Sequence, residues 1–259
     1  MEIRAVKFRV GGEWRVGGLF RPARPGPTPG VLMLHGFPGV QQNEDIASEL
    51  CRRGMTVLLP HYGGSWGSSG RFSVHGLFED ARAAAALLAR YHHVDPASLG
   101  VVGYSVGGWV ALKLASELRL AAAVVLAPAV PGHNAGDPAY LRRNGKVLNI
   151  PDFRAVWEEY AALAAGDPPE AYIKRIAPTP LLLVQGLEDR LVPPAGTRAL
   201  YFAAREPKEL LEFAGEAHEF QENRPLVVAS VCDWLSARLP GGRPAAHTTL
   251  WRGIGAARA

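Results

Sequence analysis

A chain of 259 residues, with 48% hydrophobic and 20% charged residues, is long enough to bury one substantial core, and this composition excludes a disordered chain. The longest apolar runs, such as 121–130, are too short to cross a bilayer, and the N-terminus lacks the apolar stretch of a signal peptide, so no membrane partner and a cytoplasmic location are expected. The net charge of +4 comes from scattered arginines, without a basic run or an aromatic-basic pattern, which argues against a nucleic-acid partner.

Two alternating segments, 2–10 and 13–21, flank Gly11 and Gly12 and predict an antiparallel hairpin. A proline-rich turn then leads into the continuous apolar run 31–34, the pattern of a strand buried on both faces. Helical spacing follows over 43–53, then a strand over 55–60, a glycine/serine loop over 63–70 and a helix over 74–91 with Ala81, Ala84, Ala85 and Leu88 on one stripe. A strand over 99–104 feeds a helix beginning at Ser105, and further strands are predicted over 121–128, 179–186 and 208–215. Helices are predicted over 194–204 and 224–238. Strands alternating with helices give an α/β domain over 1–238, with a mostly parallel sheet covered on both faces. The interval 131–177 breaks the rhythm: Pro131, Gly132, Pro151, Pro168 and Pro169 surround two short amphipathic segments, read as a small lid over one end of the sheet. The tail over 239–259 has no periodicity and is expected to be loosely held.

In such a layout ligands gather beyond the carboxyl ends of the strands, and four motifs fall there. Gly103-Tyr104-Ser105-Val106-Gly107 joins a strand to a helix. Glycines on either side of a serine suit a sharp turn that pushes the hydroxyl out of the sheet. A phosphate loop is disfavoured, because the segment lacks both a Gly-Lys-Ser/Thr ending and Gly-x-Gly-x-x-Gly spacing. His35-Gly36-Phe37-Pro38-Gly39 follows another strand. The backbone amides of Phe37 and Val106 are the natural pair for an oxyanion, Pro38 has no N–H to offer, and His35 is expected to bond the loop backbone. Asp189, after the strand 179–186, is the candidate acid, with the adjacent Glu188 as its competitor. His218, after the strand 208–215, is the candidate general base. Each piece alone is weak, but serine, acid and histidine in that chain order, each just after its own strand, form a specific pattern. Cys51 and Cys232 are far apart and carry no metal-ligand spacing, so two reduced thiols are expected.

At these residues the chain resembles the α/β-hydrolases over nearly all of 1–238, and within them the bacterial feruloyl/cinnamoyl-esterase-type and acylaminoacyl-peptidase-like hydrolases. The resemblance rests on "HGFPG", "GSWGSSGRFS" with "EDARAAAALL", "GYSVGG", "GLEDRLVP" and "GEAHEF". It implies an eight-stranded sheet, a Ser105–Asp189–His218 triad, a lid formed by 131–177, and neither metal nor cofactor. Two positions depart from the pattern, where His61 and Trp66 stand in place of the more usual Asp and Gly. Trp66 is a candidate pocket residue, as are Trp157 and Tyr160 among the lid aromatics, although a packing role serves each equally well. The function expected is hydrolysis of a small-molecule carboxylic ester by a monomer or homodimer. Peptidase, thioesterase and lactonase activities on the same residues are rivals, and a non-catalytic binding protein is a more distant one.

Overall fold

The computed structural model describes residues 1–130 and 133–239. The tail from residue 240 onward, and Pro131 and Gly132 of the inserted segment, therefore lie outside the described residues.

Eight strands form one sheet. The first two, β1 (Glu2–Val10) and β2 (Glu13–Arg21), are joined at Gly11 and Gly12, both with positive φ, as a two-residue hairpin turn requires. Next come β3 (Thr28–Leu34), β4 (Thr56–Pro60), β5 (Val94–Tyr104), β6 (Ala122–Leu126), β7 (Leu181–Gly186) and β8 (Lys208–Phe213). The spatial order is β1-β2-β4-β3-β5-β6-β7-β8; β2 is antiparallel to both of its neighbours and every other pairing is parallel. Strands β3, β4, β6 and β7 are buried at every residue, which is why their sequences read as unbroken apolar runs rather than alternations. Helix α1 (Glu44–Arg52) packs against α8 (Arg224–Ser236), while α2 (Val74–Ala89) packs against α3 (Val106–Glu117), and helices cover both faces of the sheet. Helix α7 (Pro194–Ala203) bridges β7 and β8.

The inserted segment holds more helix than its sequence predicts. In place of two amphipathic pieces it contains α4 (Pro138–Asn144), α5 (Phe153–Gly166) and α6 (Pro169–Tyr172), with a single 3₁₀ turn after α4 and another after α6. Pro169, read as an interruption, belongs to a helix start instead: like Pro138 in α4, it occupies the first turn of α6, where a missing N–H costs nothing. Asp137 caps α4 by accepting from the Tyr140 amide at 2.5 Å, and Asp152 caps α5 by accepting from the Arg154 and Ala155 amides at 2.9 and 3.1 Å.

A buried ion pair ties the hairpin to the rest of the domain. Arg15 of β2 donates to Asp80 of α2 at 2.6 Å, with side-chain exposures of 9% and 0%, and the second Asp80 oxygen accepts from the Gly63 amide at 2.7 Å. Burial holds the Asp80 carboxyl above its usual range even against these two donors. Removing one partner strands a charge in the core, whereas replacing both with apolar residues of similar volume does not. Arg15→Met is therefore expected to cost about 3–5 kcal/mol in urea unfolding, and Arg15→Met/Asp80→Leu to recover most of that loss. Equal losses in the single and double variants would contradict this reading.

Candidate active site

The turn from β5 into α3 is built from close approaches. A Cβ on Gly103 would stand 2.2 Å from the Gly107 carbonyl oxygen, and one on Gly107 would stand 2.2 Å from the Leu34 carbonyl oxygen. Only hydrogen fits at either point. Ser105 itself adopts φ 56°, ψ −124°, a conformation that L-residues rarely accept. Four backbone bonds hold it there: Ser105 N–H to Leu126 O at 2.8 Å, and the Gly108, Trp109 and Ala129 amides to Ser105 O at 2.8, 3.3 and 2.9 Å.

His218 Nε2 lies 3.0 Å from Ser105 Oγ, and its Nδ1 lies 2.7 Å from Asp189 Oδ2. All three residues are buried. The other Asp189 oxygen, Oδ1, accepts from the Leu191 and Val192 amides at 2.9 and 2.8 Å, so the loop after β7 wraps the carboxylate and fixes its direction. Glu188 points into solvent and contributes its amide to the Glu216 carbonyl at 2.9 Å. Of the two adjacent acids, Asp189 is the one the structure brings to the histidine. A hydroxyl, an imidazole and a carboxylate chained in this way can move the serine proton onto the imidazole while the carboxylate steadies the resulting cation.

Phe37 and Val106 flank Ser105 in a narrow cleft of about 30 Å³, and neither amide donates to another group among the described residues. The inserted segment supplies much of the remaining wall, with Tyr140 and Leu141 from α4 and Trp157 and Tyr160 from α5, and Ala129 and Leu191 complete it from the body. Trp157 and Tyr160 line the Ser105 cleft. Trp66 does not. It lies outside the residues lining this cleft, and its indole N–H donates to the Pro38 carbonyl at 2.8 Å, bracing the loop that carries Phe37. His61 steadies this brace: its Nδ1 is 2.9 Å from the Trp66 carbonyl, and its Nε2 is 3.1 Å from Gln42 Oε1.

Three supporting residues escape a motif reading. The Tyr104 ring lies 5.2 Å from the His218 imidazole, and its hydroxyl donates to the His218 carbonyl at 3.2 Å. Gln185, fully buried, donates to Val192 O at 3.1 Å and Asp189 Oδ2 at 3.4 Å while accepting from Thr197 at 2.5 Å. Glu216, also fully buried, accepts from the Glu222 and Asn223 amides and closes the turn that carries His218. The signal for Glu216 was an acid set among glycine and alanine beside the histidine. Gln185 carried the weaker signal of a polar residue ending an apolar strand.

The sheet order, the strained serine turn and the hydrogen-bonded chain at the carboxyl edge define an α/β-hydrolase. Comparison with known proteins narrows this: residues 43–241 match the prolyl oligopeptidase family, and the chain belongs to that family of hydrolases. The uncharacterized protein Rv2307c of Mycobacterium tuberculosis is 32% identical over 212 residues, 80% of this chain and 69% of its own. Among solved structures, Est1E from Butyrivibrio proteoclasticus with ferulic acid bound has a TM-score of 0.76 at 19% identity, over 90% of this chain and 98% of that one, a likeness of fold. A puromycin-hydrolyzing peptidase of Mycobacterium tuberculosis has a TM-score of 0.69 at 25% identity, over 94% of this chain and 40% of that chain.

The burial of His35 is expected to couple the stability of the fold to pH. Its Nδ1 is 2.8 Å from the Gly36 carbonyl, as its position before a glycine predicts, and burial takes its pKa from 6.5 down to about 4. The unfolded chain therefore binds a proton here more readily than the folded one. The stabilising contribution is full above pH 6.5 and is lost as pH falls toward 4, amounting to about 3 kcal/mol. His35→Gln is expected to flatten the acid side of the stability–pH curve in this window; an unchanged slope would contradict the assignment.

Proposed function

We propose that the chain is a serine hydrolase of carboxylic esters with an uncharged, apolar acyl group. The observation that carries this reading is Ser105 Oγ, 3.0 Å from His218 Nε2, facing a cleft whose walls are apolar or aromatic. Asp137 is the sole carboxylate among the lining residues, and it is engaged in capping α4.

His218 Nε2 takes the Ser105 proton as Oγ attacks the ester carbonyl carbon, and the carbonyl electron pair moves onto oxygen. The Phe37 and Val106 amides donate to that oxyanion. As the intermediate collapses, the C–O bond to the alcohol breaks and His218 returns the proton to the departing oxygen, leaving an acyl-serine. Water then attacks the acyl carbon while His218 takes a proton from it. Collapse frees the carboxylic acid, and Ser105 recovers its hydrogen. Asp189 holds Nδ1 protonated throughout.

The ferulic acid bound to Est1E supports an aromatic acyl group. The prolyl oligopeptidase family and the puromycin-hydrolyzing peptidase favour a second reading, amide hydrolysis by the same residues. Thioester or lactone hydrolysis would use the same steps. The reading includes a cytoplasmic location, which free thiols at Cys51 and Cys232 suit.

Steady-state hydrolysis of an aryl ester and of the anilide of the same acid tests this reading. The ester is expected to have the higher kcat/KM, and Ser105→Ala to lose activity on both. Asp189→Asn should lower kcat by about 10⁴ through the wrong imidazole tautomer, with Glu188→Gln near wild type. A loss confined to Glu188→Gln would overturn the assignment of the acid, and a preference for the anilide would favour the peptidase.

A further inference from the structure

The cleft over Ser105 holds about 30 Å³, whereas an apolar cavity that takes up benzene measures roughly 150 Å³. A ring therefore enters beside Ser105 only if a wall gives way. Ser105, Val106, Phe37 and Leu191 belong to the turns at the sheet edge, but Trp157 and Tyr160 belong to α5, which reaches the site from the inserted segment. Whatever fixes α5 thus sets the width of the cleft.

Glu159, between these two aromatic residues in sequence, reaches across to α2. Its Oε2 accepts from the Val74 amide and its Oε1 from the His75 amide, both at 2.9 Å. These are the first two amides of α2, which the helix itself leaves without partners, and Ser73 Oγ accepts from a third, that of Gly76, at 3.1 Å. A carboxylate suits the positive end of a helix dipole, and its hydrogen bonds are charge-assisted. Elsewhere on α5, Arg154 and Glu158 pair with each other at 2.7 Å on the exposed side. Among the described residues no other side chain of α5 hydrogen-bonds the body; the Asp167 carboxylate, which bonds Lys113 of α3, lies past the helix end. The anchor on α2 is in turn tied to the site. Phe72, two residues before Val74, meets the Phe37 ring edge-on at 5.7 Å, and its amide donates to Asn149 O at 3.0 Å.

We propose that Glu159 is a specificity-determining residue of the Ser105 site. By latching α5 to the start of α2 it holds Trp157 and Tyr160 over the serine and tilts the acyl preference toward groups of acetyl size. An aromatic acyl group is accepted only by displacing α5 against both bonds. Glu159 touches no reacting atom and acts through the two aromatic walls. The preference rests on the ester reading, whereas the latch itself does not.

Steady-state hydrolysis of p-nitrophenyl acetate and p-nitrophenyl benzoate by the full chain tests it, each rate taken relative to that with hydroxide. Wild type is expected to favour the acetate. Glu159→Ala should raise the benzoate-to-acetate ratio of kcat/KM about tenfold, the worth of one hydrogen bond to a charged group, with the gain in KM for the benzoate. Glu159→Gln, which keeps one acceptor oxygen, should fall between, and Glu158→Gln should match wild type. A general loosening of the fold would lower kcat on both esters and leave the ratio unmoved. Hydrogen exchange, which needs no turnover, is expected to be about tenfold faster for the α5 amides of Glu159→Ala and no faster for those of α3. Circular dichroism checks folding; should Glu159→Ala fail to fold, Glu159→Gln carries both readouts. A wild-type preference for the benzoate, an unmoved ratio, an equal rise in Glu158→Gln or unchanged α5 exchange would each overturn the proposal. Failure of the ester reading shows differently, as no hydrolysis of either ester by wild type or as hydrolysis that survives Ser105→Ala, and α5 exchange then decides on the latch.

Discussion

The packing of backbone against backbone at the β5–α3 turn is the constraint on which the rest of the site depends. Gly103 and Gly107 let the start of α3 press against the end of β3, and that pressure leaves Ser105 at φ 56°, ψ −124°. A residue held in so sparsely populated a region costs on the order of 1–3 kcal/mol, and it persists because the surroundings over-determine it. Here those surroundings are β6 and its exit, which bond both the amide and the carbonyl of Ser105. Val106 follows in the same turn and lines the same cleft, so one local strain sets both the nucleophile candidate and one of the two proposed oxyanion donors.

The partners of Ser105 come from two other loops that brace each other. A Cβ on Gly186 would stand 2.4 Å from the Glu216 carbonyl oxygen, so the loop bearing Asp189 and the loop bearing His218 cross in contact. Glu188 N–H bonds that same carbonyl at 2.9 Å. Within this crossing every polar atom of the Asp189 carboxylate is engaged, by His218 and Gln185 on one oxygen and two backbone amides on the other. A carboxylate fixed so completely holds the imidazole in one orientation, which leaves its other nitrogen aimed at Ser105.

Much of this was legible in the chain. The hairpin at 2–21, the buried parallel strands and the serine turn each carry a local signal, whether an alternation, an unbroken apolar run or a glycine spacing. The choice between Glu188 and Asp189 carried none, because adjacent acids differ only in where a tight loop points them. The choice between pocket and packing for Trp66 carried no signal for a related reason: its indole donates to the Pro38 carbonyl, and no composition rule foretells that. The inserted helices were undercounted in part because Pro169 reads as a break, whereas it begins a helix.

Ser105 is proposed as the nucleophile, raised in reactivity by His218. Mass spectrometry of the chain after treatment with a fluorophosphonate tests it most directly. One phosphonyl adduct is predicted, located on Ser105, absent from Ser105→Ala and slowed by orders of magnitude in His218→Ala. An adduct on any other residue, or labelling that survives Ser105→Ala, would contradict it.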